Sequence, residues 1–227
     1  VFDFKAAEIN GIQITNVPGG EFAPLLTLKK EGNAWSLTEP EVAPADSAAV
    51  EMMVNLLADL TYSKIAATGE DRFEAFGVTE ALARKIQLTK ANGETIQIWI
   101  GAKAPVGYSV YVRNSLKPDD IYVANQHVLS ATAKKVNDLK DKTVFRFAKD
   151  GVESVEFGLI RLLKSNGNWV VKSQDSDYPA DSQAVDTWLS DLLAIKATDI
   201  GSKMLKTDKL QDLVILGPEG KSLFKGK

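Results

Sequence analysis

One block of sequence occurs twice in this chain, and few folds accommodate two copies of one supersecondary unit. The first copy reads Leu28-Lys29-Lys30-Glu31-Gly32-Asn33-Ala34-Trp35-Ser36-Leu37, and the second reads Leu162-Leu163-Lys164-Ser165-Asn166-Gly167-Asn168-Trp169-Val170-Val171. Each is an apolar segment, a Gly/Asn turn and a segment led by Trp, which is the pattern of a β-hairpin. A polar stretch follows in both. Then Pro44-Ala45-Asp46-Ser47-Ala48-Ala49-Val50 is matched by Pro179-Ala180-Asp181-Ser182-Gln183-Ala184-Val185. A carboxylate at Asp46 or Asp181 suits a helix N-cap, where it accepts from the free N–H groups of the first turn. Proline just upstream falls where a helix has not yet begun.

The two predicted helices carry the same apolar spacing. Val50, Met53, Val54, Leu57 and Leu60 recur at i, i+3, i+4, i+7 and i+10, and so do Val185, Trp188, Leu189, Leu192 and Ile195. Each set makes one apolar stripe to lay on a sheet. Both helices lead to a short apolar segment, at Ile65 and Ile200.

The rest of the first copy reads as strands. Ile86 and Leu88 alternate, Asn92-Gly93 marks a tight turn, and Ile96, Ile98 and Ile100 alternate again. Val110 and Val112, then Ile121 and Val123, continue the pattern around Lys117-Pro118-Asp119-Asp120 turn chemistry. A short helix is expected over His127 to Ala133. The second copy shows only the start of this run: Leu213 and Ile215, Pro218-Glu219-Gly220, then Leu223. It is expected to be a truncated copy or to lack residues that follow. Phe145-Arg146-Phe147 opens the second copy as Phe2-Asp3-Phe4 opens the first, so the boundary lies within 140–149. Two domains follow: a first unit over 1–145 and a second, partial copy over 146–227. No Gly/Ser/Pro linker separates them. The expected fold class is α+β, with two related units of mainly antiparallel strands carrying one amphipathic helix each, the second unit truncated.

At this point the residues resemble a family. A Gly-x-x-Trp segment, Pro-Ala-Asp before an amphipathic helix, Phe76-Gly77 after it, Ile98-Trp99-Ile100-Gly101, and Gly107-Tyr108-Ser109-Val110-Tyr111-Val112-Arg113 come in the order seen in the domain of unknown function 4340. The resemblance implies a bacterial protein with an exported domain on one N-terminal membrane anchor, encoded beside gliding-motility-type ABC transporter components. It implies no catalytic residues. The chain opens at Val1, and its anchor or signal is expected to have been trimmed.

Composition bounds the chemistry. Absence of cysteine excludes disulfides, a thiolate nucleophile and Cys-rich zinc sites. A net charge of −3 gives no strong field toward nucleic acid or an anionic membrane. The six lysines among residues 203–227 face three acids and read as a solvated face. No run of about 18 apolar residues exists, so no segment reads as a spanning helix.

His127, the only histidine, has no partner at sequence level to make it a base or a ligand, and no Gly-x-Ser-x-Gly elbow accompanies it. Asp175, Asp177 and Asp181 invite a calcium reading. The spacing fails, because Pro179 takes the fifth loop position and Ala180 the sixth, where glycine is needed. No Walker or Gly-x-Gly-x-x-Gly loop occurs. Gly19-Gly20 belongs to an insertion between Ile14 and Leu26 that the second copy lacks, a candidate loop for partner contact. Trp35 and Trp169, at equivalent places, read as core. Tyr108, Tyr111 and Arg113 are the candidate partner-binding residues. Tyr111 and Arg113 share strand parity opposite Val110 and Val112, and an exposed Tyr/Arg face binds by stacking and bidentate contacts. The competing reading is cross-strand aromatic packing.

The leading functional expectation is a non-catalytic, extracytoplasmic binding or interaction module accessory to an ABC-type transport complex, with a permease or other envelope protein as partner. It needs no cofactor or metal and no nucleic acid, and it meets the membrane only through an anchor. The alternatives are a cell-envelope glycan hydrolase using paired carboxylates and a purely structural spacer. A concave apolar pocket separates the first reading from the spacer.

Overall fold

A computed structural model describes residues 4–17, 19, 22–105, 107–173, 176–198 and 211–226. Phe2 and Asp3, Pro18 and Gly20 of the insertion, Asp175, Ile200 and the lysines at 203, 206, 209 and 227 lie outside the described residues. The chain divides into two compact units, Val1–Asp141 and Lys142–Lys227.

In the first unit β1 (Ile9–Thr15), β2 (Leu25–Glu31), β3 (Ala34–Glu39) and β4 (Ala43–Pro44) lead into α1 (Ser47–Ala58). Then follow β5 (Tyr62–Thr68), β6 (Arg84–Lys90), β7 (Thr95–Lys103), β8 (Ser109–Asn114), β9 (Lys117–Asn125), α2 (His127–Thr132) and α3 (Val136–Leu139). The strands form one antiparallel sheet in the order β4-β3-β2-β1-β6-β7-β8-β9-β5. Register lines up the apolar positions across it: Ile12 faces Leu28 and Leu88, and Ile14 faces Leu26 and Ile86. Leu88 and Ile86 face Ile96 and Ile98 in turn. This period-2 layer meets the stripe Val50, Met53, Val54 and Leu57 of α1, all buried. Asp46 caps α1 by accepting from the Ala49 N–H at 3.1 Å.

The second unit holds β10 (Ser154–Phe157), β11 (Ile160–Ser165), β12 (Asn168–Lys172), β13 (Asp177–Pro179), α4 (Ser182–Ala194), β14 (Leu213–Leu216) and β15 (Ser222–Gly226). Its antiparallel order is β13-β12-β11-β10-β14-β15. That is strand for strand the order β4-β3-β2-β1-β6-β7 of the first unit. Local contacts agree as well. The Trp35 N–H donates to Ser47 Oγ and the Trp169 N–H to Ser182 Oγ, each at 3.0 Å. Asp181 caps α4 through the Ala184 N–H at 3.1 Å. Lys30 lies 5.8 Å from the Trp35 ring and Lys164 5.8 Å from the Trp169 ring. The β11–β12 turn at Asn166-Gly167 has positive φ at both residues, the geometry that two-residue hairpins require.

The expected α+β class needs correction. Strand accounts for 44% of the residues and helix for 23%, so this is a β-rich fold with a minor helical part. The expectation of one amphipathic helix per unit gave the helices too much weight. After α1 the chain folds into five strands, each hydrogen-bonded along a neighbour, while α2 and α3 are short. Alternating runs separated by tight turns use up their backbone groups in ladders and leave α1 and α4 as the one long helix laid on each sheet.

Candidate functional site

The β7–β8 region brings together the residues singled out on the first unit, and it buries most of them. Ile98 and Ile100 face the main core, so Trp99 points to the opposite face, as Tyr111 and Arg113 do on β8. That face is covered by the segment carrying Phe73, Phe76, Val78 and Ala83. The Arg113 guanidinium lies 3.7 Å from the Trp99 ring and 4.3 Å from the Phe73 ring. Its Nε donates to the Val78 carbonyl at 3.2 Å. Burial lowers the Arg113 pKa from its ordinary value, with Glu80 and Glu70 acting in the opposite sense. Glu80 also accepts from Trp99 Nε1 at 2.9 Å. Tyr111 packs edge-on against Phe76, ring centroids 4.6 Å apart. Arg113 is only 8% exposed, while Tyr108 is 80% exposed. Of the three candidate partner-binding residues, Tyr108 alone stands out in solvent, and Tyr111 and Arg113 pack beneath the covering segment.

Close backbone approach explains the glycines here. The Ala102 N–H donates to the Phe76 carbonyl at 3.0 Å. A Cβ on Gly101 would lie 2.6 Å from Phe76 O and 2.8 Å from Gly77 O. Gly77 itself holds φ at 68°. The Phe76-Gly77 and Trp99-Ile100-Gly101 motifs are therefore one packing contact.

The other candidates have local roles. His127 is exposed at the start of α2, where its backbone N–H donates to Asn125 Oδ1 at 2.9 Å. Asp177 pairs with Lys172 at 2.6 Å, and Asp181 is the α4 cap. Among the described residues no group of three His, Cys, Asp or Glu is placed to hold a metal ion. The insertion after β1 is tied back to the sheet: Asn16 Nδ2 donates to the Ala23 carbonyl and Arg84 Nε to Asn16 Oδ1, each at 2.7 Å.

A concave site opens in the second unit. A cavity of about 510 Å³ lies between α4 and the sheet, lined by hydrocarbon from Val155 and Phe157 of β10, Ile160 and Leu162 of β11, Leu213 of β14, and Val185, Trp188 and Leu192 of α4. The sheet registers place Phe157 where the first unit has Ile14, Ile160 where it has Leu26, and Leu213 where it has Ile86. Those first-unit residues are buried, Ile14 and Leu26 at 1% exposure each. Phe157 is 43% exposed and Ile160 55%. In the first unit the same end of the helix–sheet layer is closed by α2. Val128 of α2 is fully buried with the α1 stripe, and Arg84, two residues before Ile86, donates to the Leu129 carbonyl at 3.2 Å.

The volume suits a ligand site, but such sites normally place a few polar groups to orient the ligand. No charged or hydroxyl side chain lines this cavity. It can take up apolar groups by desolvation, and it offers nothing for proton transfer or nucleophilic attack. Sequence reasoning passed over its rim. The signal was the turn Phe157-Gly158-Leu159-Ile160, with Gly158 at φ 58° and an isobutyl side chain fully exposed at the tip, where a polar residue is usual.

A family model described as a domain of unknown function (DUF4340) matches residues 35–177, well over half of the chain. No curated protein and no solved structure matches it.

Proposed function

Since the chain belongs to the DUF4340 family, we propose that it is a non-catalytic binding module, exported and held at the membrane by an anchor, that serves as an accessory to an ABC-type transport complex. The observation that carries the binding part is the apolar cavity of the second unit. A purely structural spacer has no use for half-exposed Phe157 and Ile160 around a concave surface, since such surface costs solubility. The glycan-hydrolase alternative needs two carboxylates flanking a cleft, and the lining of this one holds none. The transport part rests on the family resemblance.

Titration with the apolar dye 1-anilinonaphthalene-8-sulfonate tests the cavity. Fluorescence enhancement is expected from the native chain and is expected to fall at least fivefold in Ile160→Glu and Leu192→Lys. Equal enhancement in all three proteins refutes the site. Affinity purification of the full-length protein from its own membranes tests the partner. Recovery of an ABC permease supports the proposal, and a protein found free of membranes and of any permease overturns it.

A further inference from the structure

Three asparagines of the chain precede glycine: Asn10, Asn92 and Asn166. In this dipeptide the backbone amide attacks the side-chain amide most readily, because glycine has no Cβ to stand in the way. The fold treats the three differently. Gly11 lies inside β1, in register with Lys29 on one side and Thr89 on the other, and a Cβ there would stand 3.1 Å from Thr89. The Asn92-Gly93 turn is exposed, but both reacting groups are held. The Gly93 N–H donates to the Lys90 carbonyl at 2.9 Å, and Asn92 Oδ1 accepts from the Glu94 N–H at 3.0 Å.

At the β11–β12 turn neither restraint operates. Asn166 and Gly167 are exposed. Among the described residues no hydrogen bond holds the Asn166 side chain, and no backbone carbonyl takes the Gly167 N–H. Nothing lies within 4 Å of the place a Gly167 Cβ would occupy. Asn166 also holds φ at 50°, and among the described residues only Glu219 shares a positive φ without being glycine. A side chain there carries backbone strain, which rotation out of the turn conformation relieves. The first unit supplies the contrast. Its equivalent turn, between β2 and β3, is Gly32-Asn33. There glycine takes the positive φ, at 59°, and Asn33 is followed by Ala34, whose methyl crowds the amide. The same hairpin is inert in one copy and open to attack in the other.

We propose that Asn166 is a site of spontaneous covalent modification. The Gly167 amide nitrogen attacks Asn166 Cγ and closes a five-membered succinimide. The side-chain nitrogen leaves as ammonia, carrying off the proton of the attacking amide. Water then opens the ring, its hydroxyl adding to one carbonyl and its proton returning to the ring nitrogen. Opening at Cγ gives aspartate, and opening at the main-chain carbonyl gives isoaspartate. Ammonia is exchanged for water, and nothing is oxidised or reduced. In isoaspartate the main chain runs through Cβ and gains a methylene inside a two-residue turn. The Ser165–Asn168 pairing next to the turn then loses its register, and the hairpin that carries Trp169 loosens.

The test follows the full chain during incubation in mildly alkaline buffer, with conversion of amide to acid at each asparagine read by mass spectrometry of a digest. Isoaspartate is identified by its resistance to a protease that cuts before aspartate. In the native chain Asn166 is expected to convert about tenfold faster than Asn92 or Asn10, because their restraints must open locally before attack. In guanidinium, where only the shared dipeptide remains, the three rates are expected to converge. The comparison is internal to one molecule and needs no variant. Native Asn166 converting no faster than Asn92 overturns the inference. So does a lead for Asn166 that persists undiminished in denaturant, since the neighbouring sequence and not the fold would then select the site.

Discussion

Replacing Arg113 with alanine should destabilise the first unit by about 3 kcal/mol, although the residue touches no candidate ligand. The guanidinium is sandwiched at 3.7 Å from Trp99 and 4.3 Å from Phe73, and a desolvated cation–π contact contributes about 2 kcal/mol. The hydrogen bond from Nε to the Val78 carbonyl adds roughly 1.5–3 kcal/mol as a charge-assisted bond. Desolvation of the cation, visible in its lowered pKa, offsets part of this sum. Arg113→Met should cost less, about 1–2 kcal/mol, because the stem still fills the slot between the rings and only the Val78 carbonyl loses its partner. Because the chain holds two units, a single melting curve is ambiguous. The assay is hydrogen exchange by mass spectrometry in a urea series, read on peptides covering 95–125. A loss of about 3 kcal/mol also corresponds to a fall of roughly 6–12 °C in the melting temperature of that unit. Arg113→Ala shifting the 95–125 transition by less than about 1 kcal/mol would refute the reasoning, as would a methionine variant no better than the alanine one.

Further predictions follow from the paired units and from the covered face. Trp169 Nε1 donates to Asp186 Oδ1 at 3.3 Å, whereas the equivalent buried Trp35 Nε1 has no partner among the described residues, Glu51 pairing instead with Lys30 at 3.0 Å. Asp186→Ala should therefore cost about 1–2 kcal/mol by leaving an indole N–H unpaired. Glu51→Ala should cost under about 0.5 kcal/mol, both by urea unfolding resolved on unit-specific peptides. Gly101→Ala should be among the most damaging single changes, about 3 kcal/mol or more, because the new Cβ meets two backbone carbonyls under 3 Å away; a soluble variant with unchanged melting temperature would contradict this. Tyr122, whose hydroxyl donates to Asp120 at 3.1 Å, has its pKa pushed up to about 12, chiefly by burial and then by that carboxylate. The folded state thus holds the proton longer than the unfolded chain does. The stabilisation is complete below about pH 10, the unfolded value, and is lost as pH rises toward the folded one. Tyr122→Phe should flatten the stability loss between pH 10 and 12, measured as urea midpoint against pH.

The sequence by itself determined what neighbouring residues decide. Asp46 and Asp181 cap helices because a carboxylate beside free N–H groups needs no distant partner. Asn166-Gly167 and Asn92-Gly93 turn because their backbones tolerate positive φ. The α1 stripe is buried because 3.6-residue periodicity puts Val50, Met53, Val54 and Leu57 on one side. Only the tertiary structure decided what covers each face. Strand parity correctly set Tyr111 and Arg113 opposite Val110 and Val112, but nothing in that alternation announces that Phe73, Phe76 and Val78, more than 30 residues upstream, fold over them. The same limit hid the cavity. Trp188 and Leu192 occupy the same helical positions as Met53 and Leu57, and whether such a stripe ends up sealed or open depends on a segment distant in sequence, whose packing no local pattern records.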